Sequence, residues 1–499
     1  MRNGILARCG RLAALSMLVA CGDSSSLLSD DLERGPPASS FIDAGVSLLD
    51  ATLPRESGSK PMWSSPDAAP GPSSACVNLQ CQQLACANGA TTSVSGTVYD
   101  PAGKNPLYNV AVFVPNTKPK PFTYGASCDG CATLYTGSPI AATLTGADGR
   151  FKLDNVPVGA DIPLVIQIGK WRRQLTVPSV AECRDNPQPD RTLRLPKNRT
   201  EGDIPKIAIS TGGADTLECL LRRVGVDAAE YGPGAASEGR VHIYHGEHGS
   251  DDPSAPNTSP PAPESQAALW DSTEHLMEYD LVLLSCEGDE TKNMNQQALH
   301  DYASAGGRVF ASHFHYSWFN TGPYGQENLA KWTRGANGID DIKSTIVTTL
   351  PNGQPFAKGQ ALATWLGNVN ALQNGKLPIE DAKHNADVSA SNTPSQTWIV
   401  ADPDAEAPGA TQYFSFNTPT DALDPIPDAV GMYCGRVVFS DLHVGAASND
   451  DKAKPVPTGC SNGALSPQEA ALEFMLFDLS SCIIPDEVPP EPPPVIPVL

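Results

Sequence analysis

The stretch that decides the fold reads "NQQALHDYASAGGRVFASHFHYSWF", residues 295–319. Its first thirteen letters place apolar residues at helical spacing and end in two glycines, which is typical of an amphipathic helix closed by a glycine cap. The letters RVFAS follow at once as a short apolar strand. A helix that leads directly into a buried strand predicts a layered α/β arrangement.

Two histidines, His313 and His315, come directly after this strand in a chain with only nine histidines. If the strand continued that far, both side chains would point to the same face, because strand residues alternate. A sharp turn after Ser312 would break the alternation and separate the two. The placement of His315 therefore depends on where the strand ends.

The alternation of strands and helices extends over residues 203–482. It predicts a mostly parallel sheet with helices on both faces. Other strands of this region are IPKIAIST, RVHIY, YDLVLLS and CGRVVFSDLHV, and other helices are GGADTLECLLRRVGV and LSPQEAALEFMLFDLSSC.

The element order over residues 203–482 resembles the class I glutamine amidotransferase-like fold, particularly its trehalose-utilisation (ThuA-like) branch. The residues that carry the resemblance are YDLVLLS, LHDYASAGGRVFASH and GRVVFSDLH. The resemblance implies a flavodoxin-like α/β domain, although residues 320–430 match the family in little beyond their length.

The sequence departs from this family at the residue that performs its chemistry. In the amidotransferases, the strand after the glycine-closed helix ends in an elbow that carries a nucleophilic cysteine. Here that region holds Ser312 and His313, and Cys286 lies one strand earlier. Because glutaminase chemistry requires a thiolate at the elbow, we expect no release of ammonia from glutamine.

Three strand ends of this region are unusually polar. In an open α/β sheet, ligands bind outside the carboxyl ends of the strands, so the side chains at these ends are predicted to share one cleft. The polar residues concerned are Cys286, Glu287, Asp289, His313, His315, Asp441 and His443.

We assign these residues two candidate roles. Acid/base or nucleophilic catalysis would use His313, His443, Cys286 and Glu287, and a metal ion would be held by His313, His315, Asp441 and His443. The alternative is local: the histidines hydrogen-bond backbone carbonyls, and Glu287 and Asp289 cap the helix beginning near Asn293. The sequence identifies no cofactor. The run YHGEHGSDDP, with His245, His248, Asp251 and Asp252, is either a further cation site or a solvated loop.

Within a domain predicted over residues 76–200, the chain from Thr92 has short runs of alternating polarity broken by DPAG and ADGR turns, with an insertion at 115–138, which predicts an all-β sandwich. The segments VSGTVYD, AGKNPLYNVAVFV and TGADGRFKLDNVPVG resemble the carboxypeptidase regulatory-like domain. This resemblance implies a prealbumin-like sandwich that serves as a structural or binding module and has no catalytic residues of its own.

The thirteen cysteines indicate disulfides in an exported protein. Without Cys9 and Cys21, eleven remain, so one thiol is predicted to be unpaired. Six of the eleven precede residue 200 and predict three disulfides within the sandwich, the alternative being a zinc site on CDGC, residues 128–131. Cys286, at a polar strand end, is our candidate for the free thiol.

The first twenty residues are predicted to be a signal peptide, with three arginines before a short apolar core. Its end, LVAC, resembles the lipobox of bacterial lipoproteins, which implies that Cys21 becomes the lipidated N-terminus; an ordinary signal peptide is the alternative. Residues 21–75, rich in Ser and Pro, predict a disordered tether. Residues 483–499 predict an extended, disordered Pro-rich tail. Gly22 after the cysteine favours the outer membrane.

The formal net charge of −22 argues against a nucleic-acid partner, because an acidic surface repels the phosphate backbone. The lipid on Cys21 is the predicted membrane attachment. Two functions are therefore left open: a binding or scaffolding protein for an envelope carbohydrate or peptide, and a hydrolase or other enzyme acting on a sugar-like substrate through strand-end His, Asp and Glu residues.

Overall fold

The computed structural model describes residues 76–246, 265–421, 433–443, 460 and 463–496. The predicted signal peptide, the lipidated Cys21 and the tether lie outside the described residues, and so do His248, Asp251 and Asp252. The boundaries proposed for the parts of the chain remain predictions.

The first part of the described chain is a β-rich region. Strand β1 lies between β4 and β7 in one sheet and also pairs β8, while the second sheet has the order β3-β2-β5-β6. A single helical turn, α1, interrupts the strands. The bounds are β1 Ser93–Tyr99, β2 Ala111–Pro115, α1 Cys131–Leu134, β3 Pro139–Leu144, β4 Arg150–Asp154, β5 Gly159–Ile168, β6 Trp171–Val180, β7 Asp185–Pro187 and β8 Leu193–Arg194.

The second part combines a ten-stranded mixed sheet, a two-stranded sheet of β14 and β17, and six helices among the described residues. The bounds are β9 Ile207–Ser210, α2 Leu217–Arg223, β10 Tyr231–Pro233, β11 Val241–Tyr244, α3 Ala267–Trp270, α4 Thr273–Met277, β12 Leu281–Leu284, α5 Gln296–Ser304, β13 Arg308–Ser312, β14 Lys331–Trp332, β15 Ile342–Ile346, α6 Ala357–Asn368, β16 Leu377–Ile379, β17 Ala386–Asp387, β18 Ser395–Ala401, β19 Thr411–Thr418, β20 Gly435–Ser440 and α7 Pro467–Ser480.

The large sheet has the order β10-β11-β9-β12-β13-β20-β19-β18-β15-β16. Its first six strands pair in parallel, and the remaining four are added antiparallel. The expectation of a mostly parallel sheet therefore describes only one half of it. The antiparallel half comes mainly from the middle of the chain, which the sequence patterns left unassigned.

The central parallel strands are short and largely apolar. All four residues of β9 and of β12 are buried, which is the pattern of parallel strands in layered α/β proteins. Helix α5 begins after Asn295, whose side chain accepts a hydrogen bond from Ala298 N, and ends before the two glycines that lead into β13. The expected capping of this helix by Glu287 or Asp289 is wrong, because Asn295 occupies the cap.

The β-rich region and the α/β part share one hydrophobic core among the described residues. Helix α7 is buried along nearly its whole length, and Phe474 and Phe477 on it pack against Tyr108 and Trp171 of the first part, with ring centroids 5.6 and 5.8 Å apart. A helix that is buried all round serves as a central element of a core. Helix α7 therefore packs on both parts of the protein.

Five disulfides indicate an exported protein, since such bonds persist outside the cytoplasm. Among the cysteines that the structure describes, Cys286 is the free one, as predicted. The expectation of three disulfides within the sandwich is wrong, and so is a zinc site on CDGC, because Cys128 and Cys131 bond to distant cysteines. The pairs are Cys76–Cys81, Cys86–Cys183, Cys128–Cys434, Cys131–Cys482 and Cys219–Cys460.

The Pro-rich tail has no helix or strand over residues 483–496, in agreement with an extended segment. It is nevertheless held at two points. Asp486 accepts a 2.8 Å hydrogen bond from Arg436, and Ile496 N donates to the Pro139 carbonyl at 2.8 Å. The expectation of disorder is therefore wrong for this stretch. Among the described helices, none is both long and apolar enough to cross a membrane.

Candidate functional site

The carboxyl ends of β12, β13 and β20 lie side by side, because β13 pairs in parallel with both of the other strands. Cys286, His313 and His443 follow these ends within a few residues. The structure brings the three together: His443 Nε2 is 3.0 Å from His313 Nδ1, and Cys286 Sγ is 3.3 Å from the same nitrogen. All three side chains are buried.

His313 lies at a sharp turn between β13 and a 3-10 helix over His313–Trp318. Its φ of 44° falls in the left-handed region, which a residue with a side chain adopts only when its surroundings hold it there. Its Nε2 is 2.9 Å from the Ala336 carbonyl and must donate to it. Nδ1 of the neutral ring therefore has a free lone pair, which points toward Cys286 and His443.

Asp215, which follows β9, holds two of the strand ends. The backbone N–H of Cys286 lies 3.0 Å from Ser312 Oγ and 3.3 Å from Asp215 Oδ2, and Ser312 Oγ donates to the same carboxylate. Because β9 pairs in parallel with β12, this carboxylate also lies at the carboxyl edge of the sheet. These bonds fix the position of the Cys286 backbone relative to the turn at His313.

His443 is held from two sides. Its Nδ1 lies 3.6 Å from Asp381 Oδ2, an ion-pair distance that is longer than a direct hydrogen bond. Its backbone carbonyl accepts a 2.6 Å hydrogen bond from Gln468 Nε2 on α7. Lys383 pairs with Asp381 at 2.5 Å. Asp381 and Gln468 thus orient the ring and the backbone of His443.

The two histidines of the site have opposite pKa shifts. Burial and the nearby His443 charge lower the pKa of His313 to about 3, so its ring is neutral at neutral pH. Burial also opposes a charge on His443, but Asp215, Cys286 and Asp381 outweigh it and raise the pKa of His443 well above its usual value. His443 is therefore the protonated partner and donates from Nε2 to His313.

Four of the predicted cleft residues lie outside this cluster, and one of them, Asp289, accepts a 2.9 Å hydrogen bond from Glu290 N. His315 donates from Nδ1 to the Ser312 carbonyl at 3.1 Å, because the 3-10 turn ends the alternation that would have aligned it with His313. Asp441 Oδ2 accepts from the backbone N–H groups of Asn385 and Ala386 at 2.7 and 3.0 Å, so it anchors a loop. Glu287 Oε1 accepts from Ser210 at 3.5 Å. The structure therefore does not bring His315 and Asp441 into the group that His313 and His443 form with Cys286.

Three residues of the site were missed by the sequence reasoning. Asp215 follows an apolar strand in the letters IPKIAISTGGAD, and the rule that singled out the other strand ends would have found it. Asp381 and Gln468 lie after an irregular segment and near the start of a helix, where nothing in the sequence relates them to His443.

The three side chains form a group able to hold a metal ion. One donor atom from each of Cys286, His313 and His443 lies within 4.8 Å of the others. In a tetrahedral zinc site, bonds of about 2.3 Å to sulfur and about 2.0–2.1 Å to nitrogen put neighbouring donors roughly 3.3–3.6 Å apart. The observed separations of 3.3 and 3.0 Å differ from these by a few tenths of an ångström. The donor set and its spacing therefore fit a zinc-class ion.

The comparisons with known proteins name no relative. No protein-family model and no curated protein matches the chain. A cohesin–X-dockerin complex from Acetivibrio cellulolyticus aligns at 14% identity and a TM-score of 0.15, over 28% of this chain and 74% of that chain. The major pilin subunit BcpA of Bacillus cereus aligns at 13% and 0.14, over 21% and 30%. Likenesses of this size carry no argument about fold or function.

Proposed function

We propose that this chain is a lipid-anchored protein of the bacterial cell envelope whose α/β part holds a zinc-class divalent ion through Cys286, His313 and His443. The observation that carries the proposal is the convergence of one sulfur and two ring nitrogens within 4.8 Å in a buried site. A thiolate with two imidazoles is a donor set that zinc prefers, whereas magnesium and calcium prefer oxygen.

The outer atoms of both histidines support this proposal. Metal-binding histidines in proteins usually give their second ring N–H to a backbone carbonyl or a carboxylate. His313 gives Nε2–H to the Ala336 carbonyl, and Nδ1 of His443 faces Asp381 at 3.6 Å. Both rings therefore present their inner nitrogen to the cluster, and binding of an ion would displace the proton that His443 Nε2 shares with His313.

Three protein donors leave one position of a tetrahedral ion for water or a ligand, as in catalytic rather than structural zinc sites. The ligand class we propose is an envelope carbohydrate or peptide. An ion of this kind coordinates the hydroxyl and carbonyl oxygens of such ligands. The ion would supply polarisation of such an oxygen or of a bound water. This chain's own residues hold and orient the centre: Asp381 orients His443, and Ala336 orients His313.

The finer fold assignments belong to the same proposal. We take the β-rich region as prealbumin-like, and the α/β part as an amidotransferase-like domain without the nucleophilic cysteine at the elbow. The left-handed turn at His313, between a strand and a helical turn, supports the elbow resemblance. The lipid on Cys21 and the outer membrane are proposed from the sequence, and the five disulfides support export.

The metal content of the purified, detergent-solubilised protein tests the proposal. We expect the wild-type chain to bind one equivalent of zinc, and its cobalt form to show a thiolate-to-metal charge-transfer band in the near ultraviolet. Cys286→Ser should abolish that band, and His443→Gln should weaken binding by more than the 10–100-fold typical of orienting residues.

The matched control for these variants is His315→Gln. His315 is a buried histidine of the same turn that contacts a backbone carbonyl. Its substitution therefore disturbs the packing of the turn in a comparable way but removes no proposed metal ligand. It should bind zinc like the wild type. Equal binding by wild type, Cys286→Ser and His443→Gln would show that the metal lies elsewhere, and no binding by the folded wild type would overturn the proposal.

A second candidate function is a cysteine hydrolase. Asp381 lies beside His443, and His443 lies near the Cys286 thiol, which favours this function. A carboxylate that orients a histidine beside a thiol is the arrangement that activates a cysteine nucleophile. Metal-free protein should then release an initial burst of product from an activated ester, and Cys286→Ala should remove the burst. Inhibition of the burst by added zinc would show that both activities use the same three side chains.

A further inference from the structure

A pair of buried carboxyl groups outside the metal cluster lies where the β-rich region meets α7. Asp100 directly follows β1 and opens a turn over residues 100–105, and Glu473 lies in the middle of α7. Their side chains are 1% and 0% exposed. Two carboxyl groups in such a position cannot both ionise without a large cost.

The hydrogen bonds around the two carboxyl groups leave one Glu473 oxygen without a donor among the described residues. Lys104 N donates to Asp100 Oδ1 at 2.6 Å, and Asn105 Nδ2 donates to Glu473 Oε2 at 2.5 Å. Glu473 Oε1 has no N–H or O–H partner among the described residues. Because the neighbouring residues Lys104 and Asn105 bind one carboxyl group each, the two groups lie at the same turn, and a shared proton would supply the missing donor.

The charged groups near the pair do not neutralise both carboxyl groups. Lys104 acts on Glu473, and Arg194 of β8 acts on Asp100, each as a nearby positive charge. From α2, Arg223 bonds Glu469, one turn before Glu473 on α7. Burial raises the pKa of Asp100 to about 6, and burial with the Asp100 charge raises that of Glu473 well above its usual value.

We propose that the Asp100–Glu473 pair is a proton-operated latch between the first turn of the β-rich region and helix α7. The latch is closed while the two carboxyl groups share a proton, and it loosens when both are ionised. The turn also contacts α2, because Ala102 N donates to the Val224 carbonyl at 2.8 Å. Loosening the latch therefore changes how three elements pack together.

The latch reaches the strand-end site through α7. Gln468, just over one turn before Glu473, is the residue that holds the His443 carbonyl. A shift of this part of α7 therefore moves the backbone of His443. This consequence concerns the candidate site, but the latch itself rests on Asp100 and Glu473 alone and does not depend on any bound metal.

The direction of the pH effect follows from the raised pKa values. A carboxyl group with a raised folded-state pKa stabilises the closed latch fully below its ordinary value of about 4, and loses that contribution as pH rises through about 6 and above. Where the closed latch still holds a proton that the open state has released, the equilibrium constant for local opening increases up to about tenfold per pH unit. It then levels off.

Hydrogen exchange of the intact protein, corrected for the intrinsic pH dependence of exchange, tests the latch between pH 4.5 and 8. Amides of residues 102–105, between Pro101 and Pro106, should open increasingly as pH rises in the wild type. In Glu473→Gln, whose amide donates to Asp100 without titrating, the opening should be nearly independent of pH. Glu274→Gln, which changes an exposed carboxylate on α4, is the control and should behave like the wild type.

The second variant keeps the test decisive if Glu473→Gln folds poorly. Asp100→Asn should also weaken the pH dependence, because it removes the Asp100 charge that helps to raise the pKa of Glu473 and offers an amide donor to the remaining carboxylate. An unchanged pH dependence in either folded variant, or none in the wild type, would overturn the latch. Zinc binding measured in parallel separates this result from the metal proposal, since loss of zinc in Cys286→Ser leaves the latch intact.

Discussion

The two halves of the ten-stranded sheet differ in what lies at their strand ends. In the parallel half, Cys286, His313 and His443 come from positions up to 157 residues apart and meet at one edge. In the antiparallel half, the polar group at the end of β18 pairs locally: Asp402 bonds Thr345, and Lys376 Nζ lies 2.9 Å from Asp402. The parallel half brings together residues that are distant in sequence. The antiparallel half pairs its polar groups with residues of the same half.

The difference follows from strand direction. Neighbouring parallel strands present their carboxyl ends at the same edge of the sheet, so residues that follow several strands converge. Antiparallel neighbours alternate, and their ends fall on opposite edges joined by short loops. All eight residues of β19 are buried, and its Tyr413 packs against Trp398 in the core. The strand carries none of the three metal donors. Convergence is thus a property of the parallel half.

The largest effect is expected where the halves join. Strand β20 is parallel to β13 and antiparallel to β19, and its Arg436 shares the buried Asp478 of α7 with Lys358 of α6, which lies 2.8 Å from the carboxylate. Asp478→Ala leaves a buried lysine without its partner. We expect a loss of about 3–5 kcal/mol in the free energy of unfolding, measured by denaturant titration.

Replacing the pair as a whole is the control for this prediction. Lys358→Met with Asp478→Leu removes both charges and should recover most of the lost stability, because Arg436 keeps Asp486 at 2.8 Å. If the single Asp478→Ala variant were as stable as the wild type, the joint between the halves would not depend on this buried pair.

The parallel half was largely accessible from the sequence, for reasons that its residues show. Apolar runs of four or five residues bounded by glycine and polar groups identify β9, β12 and β13 directly. Once the strands are parallel, the edge that Cys286, His313 and His443 share follows from geometry. The free thiol at Cys286 followed from the odd number of cysteines and its polar surroundings.

The rest depended on contacts between residues that no local pattern relates. Cys128 and Cys131 bond to cysteines more than three hundred residues away, which spacing within the β-rich region does not reveal. The exclusion of His315 depended on one backbone turn at His313, whose left-handed conformation is set by the surrounding packing. Asp381 reaches His443 from a loop of the antiparallel half, across the division that the strand pattern suggests.

The next largest effect tests this contribution of the antiparallel half to the site. Asp381 follows β16 and lies beside His443, so Asp381→Asn removes the charge while keeping the shape of the side chain. We expect zinc affinity to fall 10–100-fold, as is typical when the partner of a ligating histidine is changed. Asp341→Asn, whose carboxylate accepts a backbone bond from residue 381, is the control and should keep its affinity. Equal affinity in both variants would confine the site to the parallel half.

The smallest effect concerns the start of α7, the helix that packs on both parts of the protein and holds the His443 backbone through Gln468. Ser466 caps this helix: its Oγ accepts from Glu469 N, and the Glu469 side chain accepts from Ser466 N in return. Ser466→Ala removes the first bond and leaves the second, so the free energy of unfolding should fall by about 1 kcal/mol in thermal or denaturant melts. Because eleven further residues of α7 are held by burial rather than by the cap, zinc affinity should stay within about twofold of the wild type.

Ser391→Ala, at an exposed loop serine, is the control and should not change stability. A large loss of zinc affinity in Ser466→Ala would mean that the first turn of α7, and not the parallel strand ends, sets the position of His443.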